Sequence, residues 1–220
     1  MSYHIGLIAD GNRRWAKQNS LSYDEAYICM MRKIIEFILL FFKDKEVVAI
    51  SIYLLSTANL GRSKEELTSV FYAETKFLTE MLPPVLEQFR CRAVHAGSLN
   101  LLPDDMQSAL KKICSDPMFS SERNLYLLLA YDPIAELRAA VEMSLQRQES
   151  INLTTHFWVP QPVDVVIRSA GGPTLLSNFL PIQCGYAQLH TIDKYFNDCT
   201  EDDFLAIMEC AKSTTMLYGN

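Results

Sequence analysis

In the stretch HIGLIADGNRRW, from His4 to Trp15, an apolar run ends in an acid, a glycine, an amide and two adjacent arginines: Asp10, Gly11, Asn12, Arg13 and Arg14. Two other apolar runs end in similar chemistry. One leads into STANLGRS, Ser56 to Ser63, which carries Asn59 and Arg62. The other leads into Arg168-Ser169-Ala170-Gly171-Gly172, followed by Ser177-Asn178. Planar guanidinium groups bond two phosphate oxygens at once. A helix starting after Gly11 would add oriented amides, and Asp10 is placed to share a magnesium ion with a phosphate. Taken singly, Arg13 reads as a surface charge, Trp15 as a core aromatic and a strand-end arginine as structural. Their convergence on three strand ends favours an oxyanion site. The chain has no G-K-[ST] sequence and no G-x-G-x-x-G after a strand, which argues against a nucleotide.

The elements that must hold these residues follow from periodicity. Short β-branched runs alternate with helical patterns: HIGLIA, then a helix over Ser22–Asp44; VVAISIYLL, then one over Ser63–Arg90; CRAVHAG, then Pro103–Ser115; LYLLLA, then Pro133–Gln148. VDVVIRS and AQLHTID come last, before a helix from Thr200 to about Leu217. Continuously apolar strands alternating with helices predict an α/β fold, a parallel sheet covered on both faces. Ligands of such sheets bind outside the carboxyl ends of the strands, where the polar clusters fall. Ser22 with Glu25 and Ser63 with Glu66 have capping-box spacing. The helix after Ser22 carries Tyr23, Tyr27, Met30, Ile34, Phe37, Ile38, Phe41 and Phe42 on a wide apolar stripe. That stripe reads first as core, and in Tyr23, Tyr27 and Met30 also as the wall of a hydrophobic substrate pocket.

Composition narrows the class. The 220 residues, 49% hydrophobic and 21% charged, suit a single globular domain. A net charge of -6 opposes nucleic-acid binding, which needs a basic face. Six cysteines without a C-x-x-C pair predict reduced thiols in a cytoplasmic protein. The longest apolar run, FILLFF, is too short to span a bilayer.

At HIGLIADGNRRWA the chain resembles the cis-prenyltransferases, the undecaprenyl diphosphate synthase superfamily. The resemblance continues through STANLGRSKEEL, VDVVIRSAGG, SNF and YAQL, over essentially the whole length. It implies a six-stranded parallel sheet flanked by helices, a hydrophobic tunnel, a homodimer, a prenyl diphosphate substrate and Mg2+. It also implies roles. Asp10 would be the metal-associated acid; Gly11, Asn12, Arg13, Arg14 and Arg62 would grip an allylic diphosphate, with Asn59 beside the leaving group. Asp10, Asn12 and Asn59 form the catalytic set, and Arg168 with Ser177 belongs to a second diphosphate site.

Departures from the family pattern leave that second site weakened. Ala26-Tyr27 replaces Gly-His, Ala58 stands where a glutamate is usual, GPTLL carries no charge after Arg168, and Gln188 replaces the glutamate of Y-A-E-L. Lys194 is a candidate substitute for the missing arginine. SYDEAY, ANLGRSKEEL and PQPVDVVIR most resemble the lavandulyl and cyclolavandulyl diphosphate synthase branch. The reading this favours is irregular condensation of two dimethylallyl diphosphates to a branched or cyclic C10 diphosphate. An alternative is a terpene cyclase acting on one geranyl or farnesyl diphosphate, although neither Asp104-Asp105 nor Asp202-Asp203 continues into D-D-x-x-D. A non-catalytic partner subunit is the third reading, which the retained Asp10, Asn12, Arg14 and Arg62 oppose.

Overall fold

Each short β-branched run becomes a strand. Among the described residues these are β1 (Tyr3–Ile8), β2 (Val47–Ser56), β3 (Cys91–Ala96), β4 (Arg123–Tyr131), β5 (Val165–Arg168) and β6 (Gln188–Thr191). The computed structural model describes residues 2–115, 123–170 and 175–214. The strands form one sheet in the order β3-β4-β2-β1-β5-β6, parallel throughout. The order switches direction between β1 and β5, where Ile8 pairs with Arg168. A crevice opens at such a switch point because the connections leave it in opposite directions.

All six residues of β1 are buried, as a strand covered on both faces requires. Tyr3, Ile5 and Leu7 face one core, shared with helix α2 (Tyr23–Phe42) and a C-terminal helix over Glu201–Ser213. In it Phe37 meets Phe204 edge to face at 5.1 Å. Truncating a fully buried phenylalanine such as Phe37 costs about 3–5 kcal/mol. Ile8 and Val166 face a second core with Tyr126, Tyr131 and Phe179. Gly6 lies between them because the Phe179 ring takes the space of a side chain, 2.5 Å from where a Cβ would stand.

Local signals place the helix starts well. Helix α1 (Asn12–Gln18) begins directly after Gly11, and Ser22 and Glu25 form the expected capping box of α2. The single helix expected over Ser63–Arg90 is instead divided into α3 (Lys64–Lys76), a π-helical turn (Phe77–Met81) and α4 (Leu82–Phe89). Pro83 and Pro84 have no N–H for an unbroken ladder, and the helix widens immediately before them. The Ser63 cap is also only half a box. Its hydroxyl accepts from Glu66 N at 3.2 Å, but the Glu66 carboxylate is engaged elsewhere. Trp15 is half-buried rather than a core residue, because its Nε1 donates to Asp198 at 2.7 Å near the surface.

The remaining helices are α5 (Asp104–Ser115), α6 (Pro133–Arg147), α7 (Leu153–His156) and α8 (Glu201–Ser213); residues 215–217 of the expected last helix lie outside the described residues. All six cysteines are free thiols. No helix among the described residues is long and apolar enough to cross a membrane.

Candidate active site

The polar ends of β1, β2 and β5 meet around one open cleft of about 980 Å³. The residues read from the sequence as diphosphate-binding, catalytic or pocket-forming line it: Asp10, Gly11, Asn12, Arg13, Arg14, Tyr23, Tyr27, Met30, Asn59, Arg62, Arg168 and Ser177.

Two acids divide its arginines into two walls. On the first wall Asp10 leaves β1 and accepts from Gly11 N at 2.6 Å and from Arg168 Nη2 at 2.8 Å, with Arg14 Nη2 at 3.7 Å. Ser169 fixes the Asp10 backbone, accepting from Asp10 N at 2.8 Å and donating to Asp10 O at 2.9 Å. Arg168 Nη1 also donates to Ser177 Oγ at 2.8 Å, and its buried Nε has no partner among the described residues. On the second wall Glu66 is buried and lies 3.2 Å from Arg62 Nη1 and 3.8 Å from Arg13 Nε. Tyr27 completes this wall, its hydroxyl donating to Glu66 at 2.7 Å and accepting from Arg62 at 2.9 Å. Burial pushes the Tyr27 phenol above its ordinary pKa, so it stays protonated.

Asn59 also lines the cleft. Its Oδ1 accepts from Ser56 N at 3.2 Å while Ser56 Oγ caps its own amide, a reciprocal arrangement that leaves Nδ2 as a donor for the cleft. Asn12 Nδ2 is likewise unpartnered among the described residues.

Gly11 adopts φ +95, where a Cβ would lie 2.6 Å from the Tyr195 ring and 2.7 Å from Ala170 Cβ. Only glycine fits that turn. Ala170, Ser177, Asn178 and Leu180 also have positive φ. Such strain persists where the surroundings enforce it, commonly beside binding sites.

A segment without any motif turns out to hold the first wall. Tyr195 lies under the Arg14 guanidinium at 5.4 Å, Asn197 donates to Asn12 at 2.8 Å, and Phe196 N donates to Asp10 O at 3.1 Å. Nothing in its composition marks these contacts. Glu66 carried a readable signal, since it lies four residues after Arg62 in the helical spacing of an ion pair; capping was the simpler reading.

Two second-site expectations have different outcomes. Lys194 is exposed, its ammonium held at 2.8 Å by both carboxylate oxygens of Asp203, and it lines not the main cleft but a neighbouring pocket with Arg14 and Ala170. Gln188 bonds the Ala211 carbonyl at 3.2 Å, a structural contact with α8. Of the uncharged GPTLL stretch, residues 172–174 lie outside the described residues. Asp104-Asp105 starts α5 and Asp202-Asp203 starts α8, and neither pair lines the cleft.

Among the described residues no three metal-binding side chains cluster. A single half-exposed carboxylate at Asp10 still suits magnesium, which is usually held by one or two carboxylates and completes its octahedron with water and substrate phosphates.

Four arginines around one cleft at the switch point of a parallel sheet, with apolar side chains beside them, form an α/β site with the donors that a phosphorylated ligand needs. The family described as "Putative undecaprenyl diphosphate synthase" matches residues 8–218, and the chain belongs to that family, the cis-prenyltransferases, enzymes of isoprenoid biosynthesis. It is 29% identical over 217 residues to the geranylgeranyl-diphosphate-specific tritrans,polycis-undecaprenyl-diphosphate synthase of Pyrobaculum aerophilum, covering 94% of this chain and 91% of that one. Its fold matches that of lavandulyl diphosphate synthase from Lavandula x intermedia, solved in complex with dimethylallyl diphosphate, with TM-score 0.84 and 21% identity over 99% of this chain and 98% of that one. It also matches a probable undecaprenyl diphosphate synthase from Campylobacter jejuni, with TM-score 0.80 and 22% identity over 100% and 99% of the two chains.

Proposed function

We propose that this enzyme joins two dimethylallyl diphosphates into a branched or cyclic C10 diphosphate of the lavandulyl type. One observation carries the reading: of the apolar stripe on α2, Tyr23, Tyr27 and Met30 line the cleft and the residues after them do not. The apolar part of the cleft is formed by Ile8, Leu21, Tyr23, Tyr27, Met30, Tyr53 and Leu54 near the charged mouth. Beyond Met30, the α2 residues Ile34, Phe37 and Ile38 are completely buried in the core and do not line the cleft. An α2 wall that ends at Met30 suits C5 units better than a long polyprenyl chain. The reduced second site agrees with it, since Gln188 contributes no charge and packs on α8.

The mechanism follows from the two walls. Arginines on both sides stabilise the diphosphate as the allylic C–O bond breaks and its electron pair departs with the leaving group. Asn59 Nδ2 offers a further donor to that oxygen. A magnesium ion held by Asp10 would add Lewis-acid stabilisation of the same charge. The π pair of the second unit forms the new C–C bond. The resulting tertiary cation loses a proton to the released diphosphate, with Tyr23, Met30 and Leu54 keeping water from it.

We also infer a homodimer built through α6. This helix buries Glu136, Ala140 and Ser144 and exposes Ile134, Leu137, Val141 and Leu145, the reverse of a surface helix.

Purified enzyme with magnesium and dimethylallyl diphosphate alone is expected to release pyrophosphate and form a C10 diphosphate. Terpenoid formation from geranyl or farnesyl diphosphate alone would identify a cyclase. Efficient elongation with isopentenyl diphosphate would identify an ordinary polyprenyl synthase, and no turnover of any of these would identify a partner subunit.

A further inference from the structure

Arg62 uses its donors unequally. Nη1 faces the wall, bonding the Tyr27 hydroxyl at 2.9 Å with Glu66 Oε1 at 3.2 Å. Nε and Nη2 make no hydrogen bond among the described residues, while the side chain is 21% exposed and lines the cleft. Those two nitrogens share one edge of the guanidinium, the fork that fits two oxygens of a phosphate.

Glu66 competes for that fork. A buried carboxylate beside an arginine gains most by bonding it bidentately, which would consume two nitrogens. Tyr27 prevents this. Its hydroxyl accepts from Nη1, must therefore turn its own proton to Glu66 Oε1 at 2.7 Å, and so shares the Nη1 end of the guanidinium with the acid, which touches it through Oε1 alone at 3.2 Å.

We propose that Tyr27 is a positioning residue, a hydroxyl wedge that stops Glu66 from pairing bidentately with Arg62 and reserves the Nε–Nη2 fork for a diphosphate. The proposal rests on the reading that the cleft binds a diphosphate. Phenylalanine at this position keeps the ring and its packing but removes the wedge. Histidine packs less well yet can still accept from the arginine and donate to the acid.

Calorimetric titration with inorganic pyrophosphate and magnesium, without turnover, tests it on the full chain. Y27F is expected to weaken pyrophosphate binding about tenfold, the effect of one hydrogen bond to a charged group. In an R62A background the same change should cost less than twofold, because Tyr27 acts through Arg62. Y27H should bind within threefold of wild type even if its melting temperature falls below that of Y27F. A packing role predicts the opposite ranking, with Y27F binding better than Y27H, and that result overturns the proposal. Equal losses from Y27F with and without Arg62, or no loss at all, also overturn it. Wild type binding neither pyrophosphate nor dimethylallyl diphosphate would instead remove the diphosphate-site reading on which it rests.

Discussion

Arg168 Nη2 donates to Asp10 Oδ2 at 2.8 Å, a bond that ties the carboxyl end of β5 to that of β1 across the switch point of the sheet. Asp10 thus organises the first wall. Asp10→Ala is expected to lower turnover of dimethylallyl diphosphate by at least about a hundredfold, the scale of losing a preorganised charged group at a leaving-group site. Its circular dichroism should be unchanged. Steady-state pyrophosphate release measures the first quantity, and normal turnover would remove Asp10 from the mechanism.

Gly11 makes a different kind of prediction, since its contribution is space and backbone freedom. Gly11→Ala places a methyl against Tyr195 and Ala170 at positive φ, with strain of about 1–3 kcal/mol. Because Tyr195 supports Arg14, pyrophosphate affinity should drop together with thermal stability. A variant that melts normally and binds normally would show that the turn is not constrained as described.

The depth of the floor can be changed at Met30. Met30→Ala opens room beyond the first C5 unit and should raise kcat/KM for geranyl diphosphate relative to dimethylallyl diphosphate. Met30→Trp should slow both donors while leaving pyrophosphate affinity intact. Competition between the two donors, read by product chain length, decides it; an unchanged ratio in both variants would place the floor elsewhere.

Stability should carry the signature of a buried acid that does not itself line the cleft. Glu74 on α3 is almost fully buried, its Oε2 has no partner among the described residues, and burial raises its pKa to about 8. Between about pH 4.5 and 8 the folded state keeps a proton that the unfolded chain releases, so this group's contribution falls as pH rises, by about 1.4 kcal/mol per unit. Glu74→Gln cannot titrate, so its stability relative to wild type should climb across that window. Urea unfolding of both proteins at several pH values provides the comparison, and parallel curves would contradict it.

Much of the scaffold was legible because its signals are local. The strands announce themselves as short β-branched runs, and Ser22 with Glu25 marks the start of α2 within four residues. The residues at the three strand ends were readable as one site because a parallel sheet must bring those ends together. The division of the 63–90 helix was missed although Pro83 and Pro84 were visible, because periodicity continues through the π turn.

The sequence by itself determined the order of the elements and the charged residues that meet at the cleft, consequences of spacing along the chain, and its motifs carried the family resemblance. Only the tertiary structure decided which acid holds which arginine and where the floor ends. Tyr27 meets Glu66 because α2 packs on α3, and Asp193–Asp198 reaches Asn12 and Arg14 because β6 lies beside β5. Contacts between residues so distant in sequence depend on side-chain packing, which no local pattern encodes.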